Sequence, residues 1–372
     1  MADSPPFTRI VRALPAVVPF VGPETLERQS GRPLRVRVGA NESAFGASPR
    51  ARKAMAEALE RVSWYNDPEG FDLRQALARR HGVDPDRICL GAGIDELLGV
   101  TVRLCVEPGE VVVAPRGSYP TFVFHVNGFG GRLEAVPYRE DRADLEALAE
   151  AARRLGAKLL YVANPDNPMG TWHDAGAVET MLAAVPPTCA VILDEAYSDF
   201  APPGTCPPFD DRYPNLVRMR TFSKAHGMAG ARIGYAVGDP RVIAAFDKVR
   251  NHFGVNRVAQ AGALASLEDG DFVAGVVDAV AEGRADYGRM AAEHGLEALP
   301  SATNFVSIDM GGGGERARAM LAALLERDVF VRMPAVEPLD RCIRVSVGTP
   351  DEREIFAGAF AEALDEIRRG GG

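Results

Sequence analysis

Between residues 110 and 240 short apolar runs alternate with longer stretches whose apolar positions recur every three or four residues. EVVVAP (110–115), KLLYVANP (158–165), AVILDEAY (190–197), LVRMRTFS (216–223) and ARIGYAVG (231–238) are mostly apolar and too short for helices, so they predict strands. DLEALAEAARRLG (144–156) and DAGAVETMLAAV (174–185) carry the helical period. Strands alternating with helices, and apolar on both faces, predict an α/β fold: a mostly parallel sheet flanked by helices.

Beyond about Asp247 the pattern changes. Long helical runs (257–268 and 271–294) come first, then FVSID (305–309), a helix near 314–327, VFVRM (329–333), CIRVSV (342–347) and a last helix from about Pro350. This predicts a smaller α+β domain over 249–372 behind a large domain over 31–248. A chain of 372 residues is longer than one compact core commonly holds. Residues 1–30, with prolines at 5, 6, 15, 19 and 23, predict an extended arm; having little core of its own, it is expected to pack on a partner subunit. Gly311–Gly314 reads as a loop and Gly370–Gly372 as a loose tail.

Composition narrows the function. The formal charge of −9 argues against nucleic-acid and membrane-surface binding, which want basic patches. The five cysteines are scattered and form no CxxC pair, so neither structural zinc nor a disulfide framework is expected and the chain reads as cytoplasmic. The N-terminus has no long apolar stretch, so no signal peptide and no membrane span are expected.

Ligands of a parallel sheet bind beyond the carboxyl ends of its strands. Asp194 follows AVIL, Asn167 lies in ANPDNPMG after LLYVA, Tyr197 comes three residues after Asp194, and Lys224 ends LVRMRTFSK. Singly, each has an ordinary explanation: a cap, a turn, a surface amine. Together, each at the end of a predicted strand, they point to a site. GAGIDELL (91–98) adds a glycine turn opening a helix, where free N–H groups and the helix dipole favour an anion. A dinucleotide turn would have glycine where Glu96 stands, so a single phosphate fits better. Amine, carboxylate, phenol, amide and phosphate cradle together suit pyridoxal phosphate (PLP).

The ordered set GANESAFGASP (39–49), YNDPEGFDLRQALARRHGV (65–83), GAGIDELL, NPDNPMGT, DEAYSDF, TFSKAHGMAGARIGY and CIRVSVGTPDE (342–352) resembles the fold-type I PLP-dependent aminotransferases of class I/II, and within them the histidinol-phosphate aminotransferase subgroup. The resemblance implies that Lys224 forms the Schiff base with PLP and then moves the substrate proton. It implies that Asp194 pairs with the ring nitrogen and that Tyr197 and Asn167 reach the ring 3′-oxygen. Gly93, Ile94 and Asp95 would offer N–H groups to the phosphate, joined by Ser223, Arg232 and Thr221. Tyr119 would stack on the ring, and Tyr65 would reach the phosphate of a neighbouring subunit in a homodimer. Arg344 would clamp a substrate α-carboxylate, and the small residues after Lys224 would let the backbone approach the cofactor. The implied reaction moves an amino group between an amino acid, or histidinol phosphate, and a 2-oxo acid such as 2-oxoglutarate.

Some positions depart from the subgroup. Its arm tyrosine, which helps hold the substrate phosphate, is replaced by Phe20 in Pro19-Phe20, which leans the substrate towards a carboxylate-bearing, aromatic amino acid. Arg332 occupies the place of a second, phosphate-directed arginine and leans back towards an anionic side chain. PRGSYP replaces a shorter turn before Tyr119, and His226 takes an apolar position, where it reads as a packing group. Asn41 and Glu42 are expected in an ordered loop beside the substrate, and Trp64 and Trp172 in packing. A PLP-dependent decarboxylase similar to threonine-phosphate decarboxylase uses the same scaffold and stays open, as does, more remotely, a non-catalytic PLP-binding module.

Overall fold

Seven strands form one sheet in the order Ile88–Gly91, Gly234–Gly238, Leu216–Thr221, Ala190–Asp194, Leu159–Ala163, Val111–Pro115, Arg132–Val136. The structure, a computed structural model, describes residues 5–15 and 21–370. Gly234–Gly238 runs antiparallel to both neighbours; the other pairings are parallel. All five strands expected in the middle of the chain are present. Arg132–Val136 was not expected, because its alternation of charged and apolar residues suits a half-covered edge better than a buried strand.

Alternate residues of each strand feed opposite faces. Leu160 and Val162 pack with Leu148, Ala152, Met181 and Leu182 from the helices Leu145–Leu155 and Ala175–Ala184. Leu159, Tyr161 and Ala163 pack with Leu97, Leu98, Phe122 and Val126 from Ile94–Cys105 and Pro120–Gly128. Each fully buried leucine contributes about 1.5–3 kcal/mol. Asp144 and Asp174 open their helices by accepting from the N–H groups of Ala147 and Ala177.

A second sheet pairs Glu297–Ala298, Phe305–Asp309 and Cys342–Ser346 antiparallel. It shares a core with the helices Gly270–Glu293, Gly313–Glu326 and Pro350–Gly370. Val36–Arg37 pairs in parallel with Val329–Phe330, tying an early segment to the later half of the chain. Arg257–Leu267 packs Ala259 and Ala263 against Ala51, Leu73 and Leu77, from helices of the earlier half.

The arm departs from the extended form expected of it. Arg9–Ala13 and Pro23–Ser30 are helical, the latter with Pro23 in the first turn, where its missing N–H would have no partner in any case. Trp64 is not a packing residue within the chain; it is 67 % exposed beside the equally open Val62. Among the described residues no helix is long and apolar enough to cross a membrane.

Parallel strands bring their carboxyl ends to one edge. Register there sets Gly91 beside Gly234 and Gly234 beside Thr221, and sets Met219 beside Asp194 and Asp194 beside Ala163. The strand-end residues singled out in the sequence therefore share one rim.

Candidate active site

Lys224, three residues past Thr221, turns its Nζ towards the backbone carbonyl of Asn41 and donates to it at 2.9 Å. Burial first, and then the positive Arg344, push this amine down to about 8. Asn41 adopts a left-handed conformation (φ 55°), which asparagine tolerates better than most side chains. It is buried and bonded on every side. Its N–H donates to Ser346 Oγ at 2.9 Å and its Nδ2 to the Tyr197 hydroxyl at 2.9 Å. Asn304 Nδ2 donates to the same Asn41 carbonyl at 3.1 Å. The GANES loop is thus pinned between the two sheets, with Lys224 against it. Tyr197 is buried and raised to about 12, so it stays a phenol; accepting from Asn41 leaves its own proton to donate.

Asp194 is buried at its strand end. Its Oδ1 accepts from the Ala196 N–H at 3.0 Å and its Oδ2 from the Tyr161 hydroxyl at 2.8 Å. Burial lifts the carboxyl to about 6, while these bonds and Lys224 pull it back.

Gly93 precedes the helix Ile94–Cys105 at φ 79°, and a Cβ there would meet Arg232 Nη2 at 2.5 Å. Arg232 thus stands beside a helix start whose first N–H groups have no intrahelical partner, as an anion cradle requires, although the N–H of Gly93, expected to serve the phosphate, donates to the Gly91 carbonyl at 2.8 Å. Arg232 also pairs with Asp95 Oδ2 at 3.2 Å, and Asp95 Oδ1 accepts from the Tyr119 hydroxyl at 2.9 Å. Thr221 Oγ1 donates to Ser223 Oγ at 2.9 Å. The expected reason for the small residues after Lys224 needs correcting at one of them. A Cβ on Gly227 would fall 1.9 Å from the carbonyl oxygen of Gly46, so that glycine permits two protein backbones to cross.

Arg344 Nη1 donates to Asn167 Oδ1 at 2.6 Å, which turns the amide Nδ2 of Asn167 away from it. Among the described residues Arg344 Nε is buried with no hydrogen-bond partner, a donor left for a ligand. Arg332 and Arg344 face each other across an antiparallel bridge. Arg332 Nη2 also donates to the Val21 carbonyl at 3.0 Å, tying the arm to this end of the site.

Two residues singled out in the sequence, Tyr65 and His226, stand apart from this cluster, for different reasons. Tyr65 is 79 % exposed, its ring on Phe253 with centroids 4.8 Å apart. Phe20 lies outside the described residues. His226 is buried, and its Nδ1 meets Ser266 Oγ at 2.7 Å, which suits the packing role expected of it. Tyr161, Asn304 and Ser346 join the site without having been expected there. Each is a polar residue in or beside an apolar strand pattern, and that interruption was the available signal.

The sequence pattern of the aminotransferase class I and II family matches residues 35–360. The chain belongs to that family. Similar curated proteins include the histidinol-phosphate aminotransferase of Roseiflexus castenholzii, 39 % identical over 366 residues and 96 % of each chain. Histidinol-phosphate aminotransferase 2 of Ralstonia nicotianae is 38 % identical over 334 residues and 88 % of each. Among solved structures, the histidinol-phosphate aminotransferase of Sinorhizobium meliloti in complex with pyridoxal-5′-phosphate superposes with a TM-score of 0.95 at 48 % identity, covering 98 % of this chain and 99 % of that one. This aminotransferase is PLP-dependent. Its residues fit the cofactor: a half-buried amine that sheds its proton near pH 8, a buried carboxylate, and a glycine-edged cradle beside a guanidinium.

Cofactor uptake by the apoprotein should follow the state of this amine. Only the neutral amine can attack the cofactor aldehyde, and Lys224 loses its proton near pH 8 rather than at the usual 10.5. The second-order rate of PLP uptake is therefore expected to rise with pH and level off above about pH 9. Stopped-flow absorbance checks this, and a rate still climbing tenfold per pH unit beyond that point would contradict the depressed amine.

Proposed function

We propose that this aminotransferase moves the amino group of histidinol phosphate to a 2-oxo acid such as 2-oxoglutarate. The observation behind the reading is the arginine pair. Arg344 N–H donates to the Arg332 carbonyl at 2.6 Å and Arg332 N–H returns the bond at 3.3 Å, so the two residues sit in direct register. Burial lowers both guanidinium pKa values. Two neighbouring guanidiniums suit a phosphate dianion better than a lone carboxylate. The names of the similar proteins support the same donor.

PLP, when bound, supplies the electron sink that stabilises negative charge at the substrate α-carbon. In this reading the N–H groups of Ile94 and Asp95 would hold its phosphate, with Gly93 giving the turn its shape and Thr221, Ser223 and Arg232 adding hydroxyls and charge. Asp194 would keep the ring nitrogen protonated. Arg344 occupies Asn167 Oδ1, which leaves Nδ2 available to the 3′-oxygen, and the Tyr197 hydroxyl would serve the same atom. Tyr119, held by Asp95, would cover the ring. Lys224 Nζ would hold the cofactor and carry the proton at the substrate α-carbon. The Asn41 carbonyl steadies that amine. Arg344 takes the carboxylate of the 2-oxo acid.

Arg332→Ala is expected to raise KM for histidinol phosphate roughly 10- to 150-fold, the effect of losing one charge-assisted contact, with a smaller change for 2-oxoglutarate. Steady-state kinetics with both substrates decides it. A second reading, a carboxylate-bearing aromatic amino acid, is favoured by Phe20 where the subgroup has a hydroxyl. Higher kcat/KM for phenylalanine or tyrosine than for histidinol phosphate would put that reading first.

The reading includes a cytoplasmic homodimer of chains divided into an arm (1–30), a large domain (31–248) and a small domain (249–372). Leu59, Val62, Trp64, Tyr65, Phe71 and Phe253 are exposed apolar side chains, an arrangement expected of a subunit contact. Tyr65 would then reach the phosphate of the neighbouring subunit. Sedimentation equilibrium should give twice the 39.8 kDa chain mass, and a fully active monomer would overturn this.

A further inference from the structure

We propose that Tyr161 is a positioning residue for Asp194, its hydroxyl keeping the proton shared between that carboxylate and the cofactor ring nitrogen on the nitrogen. The inference rests on Asp194 meeting the ring nitrogen, as proposed above. Tyr161 lies opposite Ile192, two residues before Ala163, which lies opposite Asp194. Positions 161 and 194 therefore share a sheet face on neighbouring strands. A tyrosine spans that diagonal; an aliphatic side chain does not.

The hydroxyl donates to Asp194 Oδ2 at 2.8 Å while the Ala196 N–H takes Oδ1, so one donor on each oxygen sets the carboxylate plane. Phe122 stacks on the Tyr161 ring, centroids 4.5 Å apart and planes at 17°, which fixes the phenol in turn. Tyr161 is fully buried in a strand whose other residues are apolar, where phenylalanine would fill the same space and leave no hydroxyl to desolvate.

The charged and titratable groups around the pair act in both directions. On Asp194, burial and Asp95 raise the basicity of the carboxylate, and Lys224 lowers it. Tyr161 itself is raised well above its ordinary value by burial first, then by Asp194, and also by Asp166 and Tyr119, so it remains a donor at any working pH. A carboxylate made basic by burial would take the shared proton and leave the ring neutral, a poor electron sink. Hydrogen bonds to the charged carboxylate oppose that transfer.

Tyr161→Phe in the holoenzyme tests this. We expect kcat to fall roughly 10- to 100-fold, with KM changed less than about threefold. The pH midpoint of the visible colour change should move upward, because a ring that has lost its positive charge no longer repels the proton on the Lys224 nitrogen. The resonance of a ¹⁵N-labelled cofactor ring should move towards the unprotonated position. Phe122→Leu loosens the same packing but keeps the hydroxyl; it should lower Tm and leave the midpoint in place. Equal midpoint shifts in both variants would assign Tyr161 a packing role and overturn the proposal. So would an unmoved midpoint and kcat in Tyr161→Phe while Asp194→Asn moves them. If Asp194→Asn itself moves neither, the placing of Asp194 against the ring nitrogen fails instead. Should Tyr161→Phe not fold, 3-fluorotyrosine introduced at this position strengthens the donor and should shift the midpoint downward; no shift there overturns the proposal.

Discussion

Lys224→Ala should remove the visible absorbance of the bound cofactor and lower turnover by roughly 10⁴-fold or more, the combined loss of a covalent attachment and a proton carrier. The chain makes this an unusually clean experiment, because it has four lysines. Lys53 pairs with Glu57 and Lys158 with Glu110, both at the surface, and Lys248 follows the helix Pro240–Phe246. None of these three joins the strand-end cluster. Lys224 is half-buried at the centre of that cluster and loses its proton near pH 8. Borohydride reduction of wild-type holoenzyme followed by peptide mapping should place the cofactor on Lys224. A label on any other lysine would overturn the assignment.

Asp194→Asn should still bind PLP, since the phosphate cradle and Lys224 are untouched. Each half-reaction should slow by at least ~10²-fold, the scale of removing one preorganised electrostatic contact. An amide cannot hold a proton on the ring nitrogen, so negative charge at the substrate α-carbon loses its sink. The fold should survive, because the amide oxygen can still accept from the Ala196 N–H while its NH2 group donates to the Tyr161 hydroxyl, which accepts as readily as it donates. Single-turnover spectroscopy with saturating amino donor separates this from a binding defect. Near-normal half-reactions in the asparagine variant would mean that the ring nitrogen has another partner.

The alternation of strand and helix between residues 110 and 240 was readable without coordinates because periods of two and 3.6 residues are local properties of the backbone. Five strands fell where the apolar runs lie, and parallel pairing then obliges Asp194, Asn167 and Lys224 to meet at one edge. The turn at Gly93 was equally local, since a glycine before a helix start announces an anion cradle by itself. What escaped depends on which distant segments meet. The prolines of the arm suggest an extended chain, yet Pro23 opens a helix behind Gly22, where a missing N–H costs nothing. Gly227 is small because residue 46 crosses it, and nothing near either position in the chain says so. Asn41 joins Lys224, Tyr197, Asn304 and Ser346, bonds that span between 156 and 305 residues of chain. Tyr161 read as one more apolar residue of its strand, and only the register between Leu159–Ala163 and Ala190–Asp194 puts its hydroxyl on the carboxylate. Residue type and local period thus determined the chemistry available and the edge where it gathers. Strand register and long-range backbone crossings, which no local pattern encodes, decided which groups touch and how each one is held.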